Sequence, residues 1–406
     1  MSRACPSSPN KPLRRGTRRH AKHSHPASPE GHPDETFPLR PCSHLLYFEN
    51  TRCERCGRTL GYAPEANALC SLDGGPDVWT APFLDNREFV FCANAAHGAC
   101  NWLVPYAPGA DPYCKACRHN ELVPPVDDPI KLEHWQIIER AKKRLVYSLL
   151  RLRLPLATRN EDAVHGLSFR FLDEASSPAP VMTGHESGVI TIALAEADDA
   201  AREYRRTQFK EPYRTLLGHF RHEVGHHYWD LLIGSNPANL AEFRRLFGDE
   251  TPSYDAALQA YYANGAPDDW QDHFISAYAT AHPWEDFAET FAHYLHVVDT
   301  TEMATAFGVR LRPAVDTRGE LTAWLDFDPY AVSKIEDLID NWVPLSSLIN
   351  NLNRAVGQHD AYPFVLTPEV IEKLAFIANI VRAAGTVQWT VPGPKGPVPI
   401  NAPAAA

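Results

Sequence analysis

Apolar positions recur with two different periods along this chain, and the change of period separates its parts. In WQIIERAKKRLVYSLLRLRL (135–154) apolar residues return at helical spacing until Pro155 stops the run. LSFRFL (167–172) and GVITIAL (188–194) follow, each rich in β-branched or aromatic residues and bounded by turn formers, which predicts two strands. From about Glu196 onward the pattern is mostly helical, with helices expected over 213–233, 285–298 and 369–383. In the first of these, YRTLLGHFRHEVGHHYWDLLI, the residues Leu216, Phe220, Val224 and Leu231 form the apolar face. No stretch approaches the roughly 18 apolar residues that cross a bilayer, so no membrane span is expected. A small N-terminal module, a long helix, a short sheet and a helical run make an α+β arrangement.

Composition refines the division. Residues 1–36 carry Pro, Ser and basic side chains with almost nothing to bury, and no apolar h-region. They read as a disordered basic tail, not a secretory signal. Residues 386–406 are Pro-rich and read as a second disordered tail. Eight of the nine cysteines fall between positions 42 and 117, which marks a cysteine domain at 37–125 and a second domain at 126–385. Clustered thiols without a secretory signal fit a reducing cytoplasm, where they bind metal. The net charge of -11 argues against nucleic acid as the main partner.

CERC (Cys53, Cys56) and CKAC (Cys114, Cys117) are CxxC knuckles, which put two thiolates on one tetrahedral zinc. Cys92 and Cys100, from FCANAAHGAC, complete a four-thiolate site with Cys114 and Cys117, with His97 as a rival ligand. The other site has Cys42, Cys53 and Cys56, and its fourth ligand would be Cys70 or His44. Such zincs either staple a domain too small to hold itself together or also present a docking surface to a protein partner.

His222, Glu223 and His226 spell HExxH. Two histidines at i and i+4 share a helical face and reach one metal, while the glutamate turns toward the open coordination position. His219 is placed one turn up, in a pocket or outer-shell role, and His227 is rotated roughly 100° away from His226. Asp230, four residues after His226, is a candidate acceptor for its other imidazole N–H.

A catalytic zinc needs a third protein ligand. In SAYATAHPWEDFAETFAHYLH, Glu285 and Glu289 share a face while Phe287, Phe291 and Leu295 form the apolar side. One carboxylate can bind zinc while the other holds a ligand histidine. Tyr278, seven residues before Glu285, is a candidate donor to a developing oxyanion.

The segments LLYFENTRCERCGRTLGY, CNWLVP, AKKRLVYSLLRL, EPYRTLLGHFRHEVGHHYWD, AYATAHPWEDFAETFAHYLH and LNRAVGQHDAYPFVL resemble a family of bacterial zinc-binding metallopeptidases. Its members join an N-terminal zinc ribbon to a gluzincin-like domain, and the resemblance spans most of residues 37–385. It implies a zincin-like fold with His222 and His226 as ligands and Glu223 as general base. Y-x6-E-D-F-A-E-x-F is also similar to the metal-site helix of the anthrax lethal factor group. That similarity makes Glu285 the third ligand and Tyr278 the oxyanion neighbour; Glu289, one helical turn on, is then expected to accept from a ligand imidazole. The family's ribbon normally opens with CxxC, and here Leu39 stands at the first cysteine position.

The expectation is therefore a zinc-ribbon domain followed by a mostly helical, zincin-like metallopeptidase domain with a small sheet. It would bind one catalytic Zn2+ and one or two structural Zn2+, and hydrolyse peptide or protein substrates. The substrate would pair with an edge strand at Gly188 to Ile192. The alternative is a non-enzymatic adaptor that binds a protein through the ribbon and keeps a structural zinc at HExxH.

Overall fold

The computed structural model describes residues 36–39, 42, 44–173, 181, 183–208 and 215–386. The two expected tails lie outside these residues, except for Thr36 and Thr386. In the cysteine-rich part, β1 (Thr36–Leu39) pairs antiparallel with β2 (His44–Tyr47). A meander of β3 (Thr59–Ala63), β4 (Ala68–Gly74), β5 (Trp79–Ala81), β6 (Arg87–Phe91) and β7 (Leu103–Pro105) follows, each strand antiparallel to the next. Phe48, Tyr62 and Trp102 pack edge-on or tilted at 4.7–6.0 Å between ring centroids, forming a small aromatic core.

That core is completed from outside the module. Helix α1 (Pro129–Arg151) starts where Asp128 accepts from the N–H groups of Ile130 and Lys131, with Pro129 in the first turn. It lends Val146 and Tyr147 to the ribbon core, and Tyr147 lies 5.5 Å from Phe48. Its other face, including Trp135, Ile138, Leu145 and Leu149, enters the larger core of the helical part. One helix thus serves two cores.

The second sheet runs in the order β10 (Gly184–Glu186), β11 (Val189–Ala193), β9 (Ser168–Leu172), β8 (Asn120–Leu122). β8 and β11 are parallel to β9, and β10 is antiparallel to β11. The expected edge strand at Gly188 to Ile192 is therefore interior. A tight turn through Ser187 and Gly188, both at positive φ, folds β10 back over it. A Cβ at Gly188 would stand 2.4 Å from the Gly166 carbonyl oxygen, so this turn needs glycine twice over. Among the described strands the sheet ends at β10 and at β8.

Helix α2 (Asp199–Gln208) precedes α3 (Leu216–Trp229), whose first turn is capped by Thr215 Oγ1 accepting from the Gly218 N–H at 3.0 Å. A single π-turn, Asp230–Gly234, ends α3. Then come α4 (Pro237–Phe247), α5 (Tyr254–Asn264), the one-turn α6 (Trp270–His273), α7 (Pro283–Ala306), α8 (Ile335–Ala355) and α9 (Pro368–Thr386). α7 runs well past the expected 298 because its apolar face continues into the core. α3 lies directly on α7: a Cβ at Gly225 would meet the Ala288 Cα at 2.9 Å. That glycine brings the HExxH helix close enough to α7 for their side chains to share one site. Behind it, Arg221 pairs with Asp299, Ser148 donates to Asp299 at 2.7 Å and Tyr147 to Glu302 at 2.8 Å, tying α1, α3 and α7 together. Among the described residues no helix is long and apolar enough to cross a membrane.

Candidate metal centres

α3 projects His222 and His226 from the face that Gly225 brings against α7. Their Nε2 atoms stand 3.2 Å apart. From the first turn of α7, Glu285 points its carboxylate between them, with Oε2 at 3.0 Å from His222 Nε2 and Oε1 at 3.6 Å from His226 Nε2. Tetrahedral zinc with Zn–N distances of about 2.0–2.1 Å spaces two nitrogens about 3.3 Å apart. The two nitrogens already have that spacing and a Glu285 oxygen stands 3.0 Å from one of them, so the three residues fit one zinc ion. Glu285 is only 1% exposed, and its Oε2 accepts no hydrogen bond. A buried carboxylate oxygen without a donor is costly unless a cation faces it.

The second glutamate lies one turn along. Glu289 Oε1 is 2.7 Å from His222 Nδ1, and its Oε2 accepts from Ser276 Oγ at 2.6 Å. Burial works against the Glu289 charge, but the His222 contact and hydrogen bond hold its carboxyl below the usual range. Burial likewise opposes charge on His222, yet its contacts with Glu285 and Glu289 push it well above its ordinary value. The imidazole is oriented by a carboxylate on its far nitrogen, as zinc-binding histidines usually are.

Glu223, on the same helix, is buried and makes no hydrogen bond or ion pair among the described residues. Its charge adds to that of Glu285 in raising the phenols of Tyr254 and Tyr278, after burial, so it shares their pocket. The Tyr278 ring lies 5.9 Å from that of His222. His219 is drawn away toward Glu196, at 3.2 Å, and His227 packs on Tyr228. Burial pushes His227 down to about 4.

Asp230 does not orient His226. The π-turn widens the helix at this point and leaves Asp230 exposed, while His226 Nδ1 is buried without a hydrogen-bond partner. The expected i, i+4 contact needed an α-helix through residue 230, and the helix ends at Trp229. What lies beside His226 instead is aromatic: Trp284 at 4.3 Å and, stacked at 6.2 Å, His185 from the edge strand β10. Ser276, Tyr254, Trp284 and His185 were not singled out as site residues from the sequence. Ser276 and Trp284 lie in the same 276–296 stretch as Glu285, Tyr254 and His185 come from separate segments, and no motif spacing joins the four to HExxH.

In the ribbon, Cys92, Cys100, Cys114 and Cys117 converge and are all buried. Cys100 Sγ and Cys114 Sγ are 3.7 Å apart, against about 3.8 Å for two sulfurs on a tetrahedral zinc with Zn–S near 2.3 Å. His97 is exposed and outside this cluster. α1 supports the site from behind: Lys143 donates to the Ala99 carbonyl and, at 3.4 Å, to Glu139 Oε2, while Lys142 reaches Glu139 Oε1 at 2.8 Å. Four thiolates on a divalent ion carry two net negative charges, and buried Lys143 faces them. Burial alone would lower the Lys143 ammonium, but Cys100 and Glu139 hold it charged.

Cys42, Cys53 and Cys56 form the third cluster, graded from half-buried through buried to exposed. Cys42 Sγ and Cys53 Sγ are 3.7 Å apart. Neither expected fourth ligand joins them. Cys70 lies in β4 among Ala63, Leu72, Ala81, Phe89 and Leu103, where burial pushes its thiol up to about 12. The side chain of His44 is also outside the cluster. β4 turns Cys70 into the apolar face of the meander, so its proximity in sequence does not become proximity in space.

Residues 131–380 match a family described as "Putative zinc-binding metallo-peptidase", and residues 36–128 match a zinc-ribbon domain. Curated relatives include "Uncharacterized protein Rv2568c" of Mycobacterium tuberculosis and "Uncharacterized protein Mb2598c" of Mycobacterium bovis. Each is 42% identical over 340 residues, covering 84% of this chain and 93% of the relative. No solved structure matches the chain. A zinc ribbon joined to a helical His/Glu metal domain is thus an α+β zinc protein. The chain belongs to this zinc-binding metallopeptidase family.

Proposed function

We propose that the protein is a zinc-dependent peptidase that hydrolyses peptide bonds at the His222, His226 and Glu285 centre. The observation that carries the reading is the pairing of a three-donor cluster with Glu223, a neighbouring carboxylate that no group among the described residues engages. Three protein donors leave a position for water, whereas structural zinc sites are closed by four. Zinc held there would polarise the scissile carbonyl and bring the pKa of its water to about 7. Glu223 takes the proton of the attacking water and returns it to the leaving amine. Tyr278 keeps its phenolic proton, since burial and the Glu285 charge both raise it, and donates to the oxyanion. Glu289 and Ser276 hold His222 in the tautomer that offers Nε2.

A peptide substrate extends the four-stranded sheet at its β10 edge, beside His185 and His226. In this reading the ribbon's thiolate zincs are structural, bracing α1.

The test is cleavage of a mixed peptide library by purified protein, with and without a chelator that strips zinc. Cleavage that stops with chelator and returns with added zinc is the expected result. Full zinc occupancy with no cleavage across the library would favour the adaptor reading, in which the same donors hold a structural ion.

A further inference from the structure

The carboxylate of Glu285 has two oxygens with different surroundings. Tyr254 Oη donates to Oε1, whereas Oε2 receives no hydrogen bond and faces His222 Nε2 at 3.0 Å. Tyr254 reaches this position from a separate segment. It opens α5, with Ser253 as the capping residue, and its ring stands between His282 at 5.4 Å and Trp284 at 5.6 Å. α5 has no fully buried residue, so core packing does not explain its placement. What it brings to the centre is Tyr254 against Glu285 and Tyr261 against Tyr278, the latter pair 5.7 Å between ring centroids.

We infer that Tyr254 is a positioning residue that fixes Glu285, holding Oε1 so that Oε2 alone is presented to the metal. The inference rests on the assignment of a zinc ion to His222, His226 and Glu285. A carboxylate with both oxygens free can bind a metal through both, which takes up coordination space that a water needs. A hydrogen bond to one oxygen sets the plane of the group and leaves the other as the donor. The rest of the turn allows little alternative. Glu285 is 1% exposed, so water does not replace the phenol readily, and its neighbour Asp286 is locked by Lys373 at 2.7 Å. The two tyrosines at the centre then have separate tasks. Tyr254 holds the ligand, and Tyr278, whose hydroxyl makes no hydrogen bond among the described residues, remains available to the substrate.

The experiment compares wild-type protein with Tyr254→Phe and with Tyr262→Phe, an exposed position on the same helix. Zinc per chain is measured by elemental analysis after equilibration with graded chelator. Outer-shell partners of this kind are worth 10–100-fold in metal affinity. Tyr254→Phe is expected to lose one zinc per chain at about 10–100-fold lower chelator concentration than wild type. The ribbon zinc should stay, and Tyr262→Phe should match wild type. Retained ribbon zinc serves as the check that the variant has folded; should Tyr254→Phe lose it too, Tyr254→Met, which also removes the hydroxyl, is measured in its place with the same loss expected. Zinc affinity unchanged in the folded variant overturns the inference. A crystal structure of zinc-loaded Tyr254→Phe with Glu285 still bound through Oε2 alone overturns it equally. The outcome is separable from peptidase activity: Tyr254-dependent zinc binding without cleavage keeps this inference and removes the peptidase reading. Cleavage with no effect of Tyr254→Phe on zinc does the reverse.

Discussion

The four-thiolate cluster and the His/Glu cluster solve the same problem with opposite architectures. Cys92, Cys100, Cys114 and Cys117 come from loops and short turns, bury all four sulfurs and leave no side open. They sit in the small aromatic core with Phe48, Tyr62 and Trp102, a core of a size that zinc commonly reinforces. His222, His226 and Glu285 come from two helices already locked by apolar packing at Gly225 and Ala288, with Glu223 and Tyr278 beside the centre. In the ribbon a bound zinc would support the fold; at the helices the fold would support a bound zinc. α1 spans the difference, with Val146 and Tyr147 in the ribbon core and Lys143 behind the thiolates.

The largest expected effect tests the first half of that contrast. Cys114→Ser should remove one zinc per chain by elemental analysis and with it a stabilisation on the order of 10 kcal/mol, since zinc binding in such modules is folding energy. Loss of the zinc with the ribbon's thermal unfolding unchanged would show that the module holds itself together.

Glu223→Gln tests the second half. It should lower peptide hydrolysis by about 10²–10⁴-fold while zinc per chain stays at the wild-type value, because Glu223 is not among the three donors. Zinc lost together with activity would make Glu223 part of the metal support.

Acid should bear on the helical half through His293, a buried neutral histidine bonded to Tyr362 at 2.9 Å and pushed down to about 4 by burial. The unfolded chain takes up a proton near pH 6.5 and the folded one only near 4, so this residue costs stability as pH falls from 6.5 toward 4. Its share is up to one proton, about 1.4 kcal/mol per pH unit. Denaturant titrations across that range should show a shallower pH slope for His293→Gln, and an unchanged slope would assign the acid sensitivity elsewhere.

The smallest effect concerns Cys70. Cys70→Ser should leave zinc content unchanged and cost about 1 kcal/mol, the penalty of a hydroxyl among apolar side chains. A drop of one zinc per chain would mean that Cys70 reaches Cys42, Cys53 and Cys56 after all.

Local chemistry made much of this legible along the chain. HExxH needs only helical periodicity to place two imidazoles on one face, and Glu285 and Glu289 likewise carry their one-turn separation in their numbering. The strands at 168–172 and 189–193, the long helices and the thiolate quartet follow from patterns confined to short windows. Three features did not, each for its own reason. The order of strands in the sheet depends on a hairpin, so Val189–Ala193 became interior when β10 folded over it. The i, i+4 reach of Asp230 assumed a regular helix, and a π-turn changed the angle at that residue. Tyr254 and Ser276 meet Glu285 and Glu289 across 31 and 13 residues, with no shared periodicity between them. The amino-acid order determined which side chains can act as donors, because identity and helical spacing are local properties. Only the packing of α3 on α7, with Tyr254 of α5 reaching Glu285, decided which carboxylate stands between the two imidazoles, because that depends on contacts between segments that the chain keeps far apart.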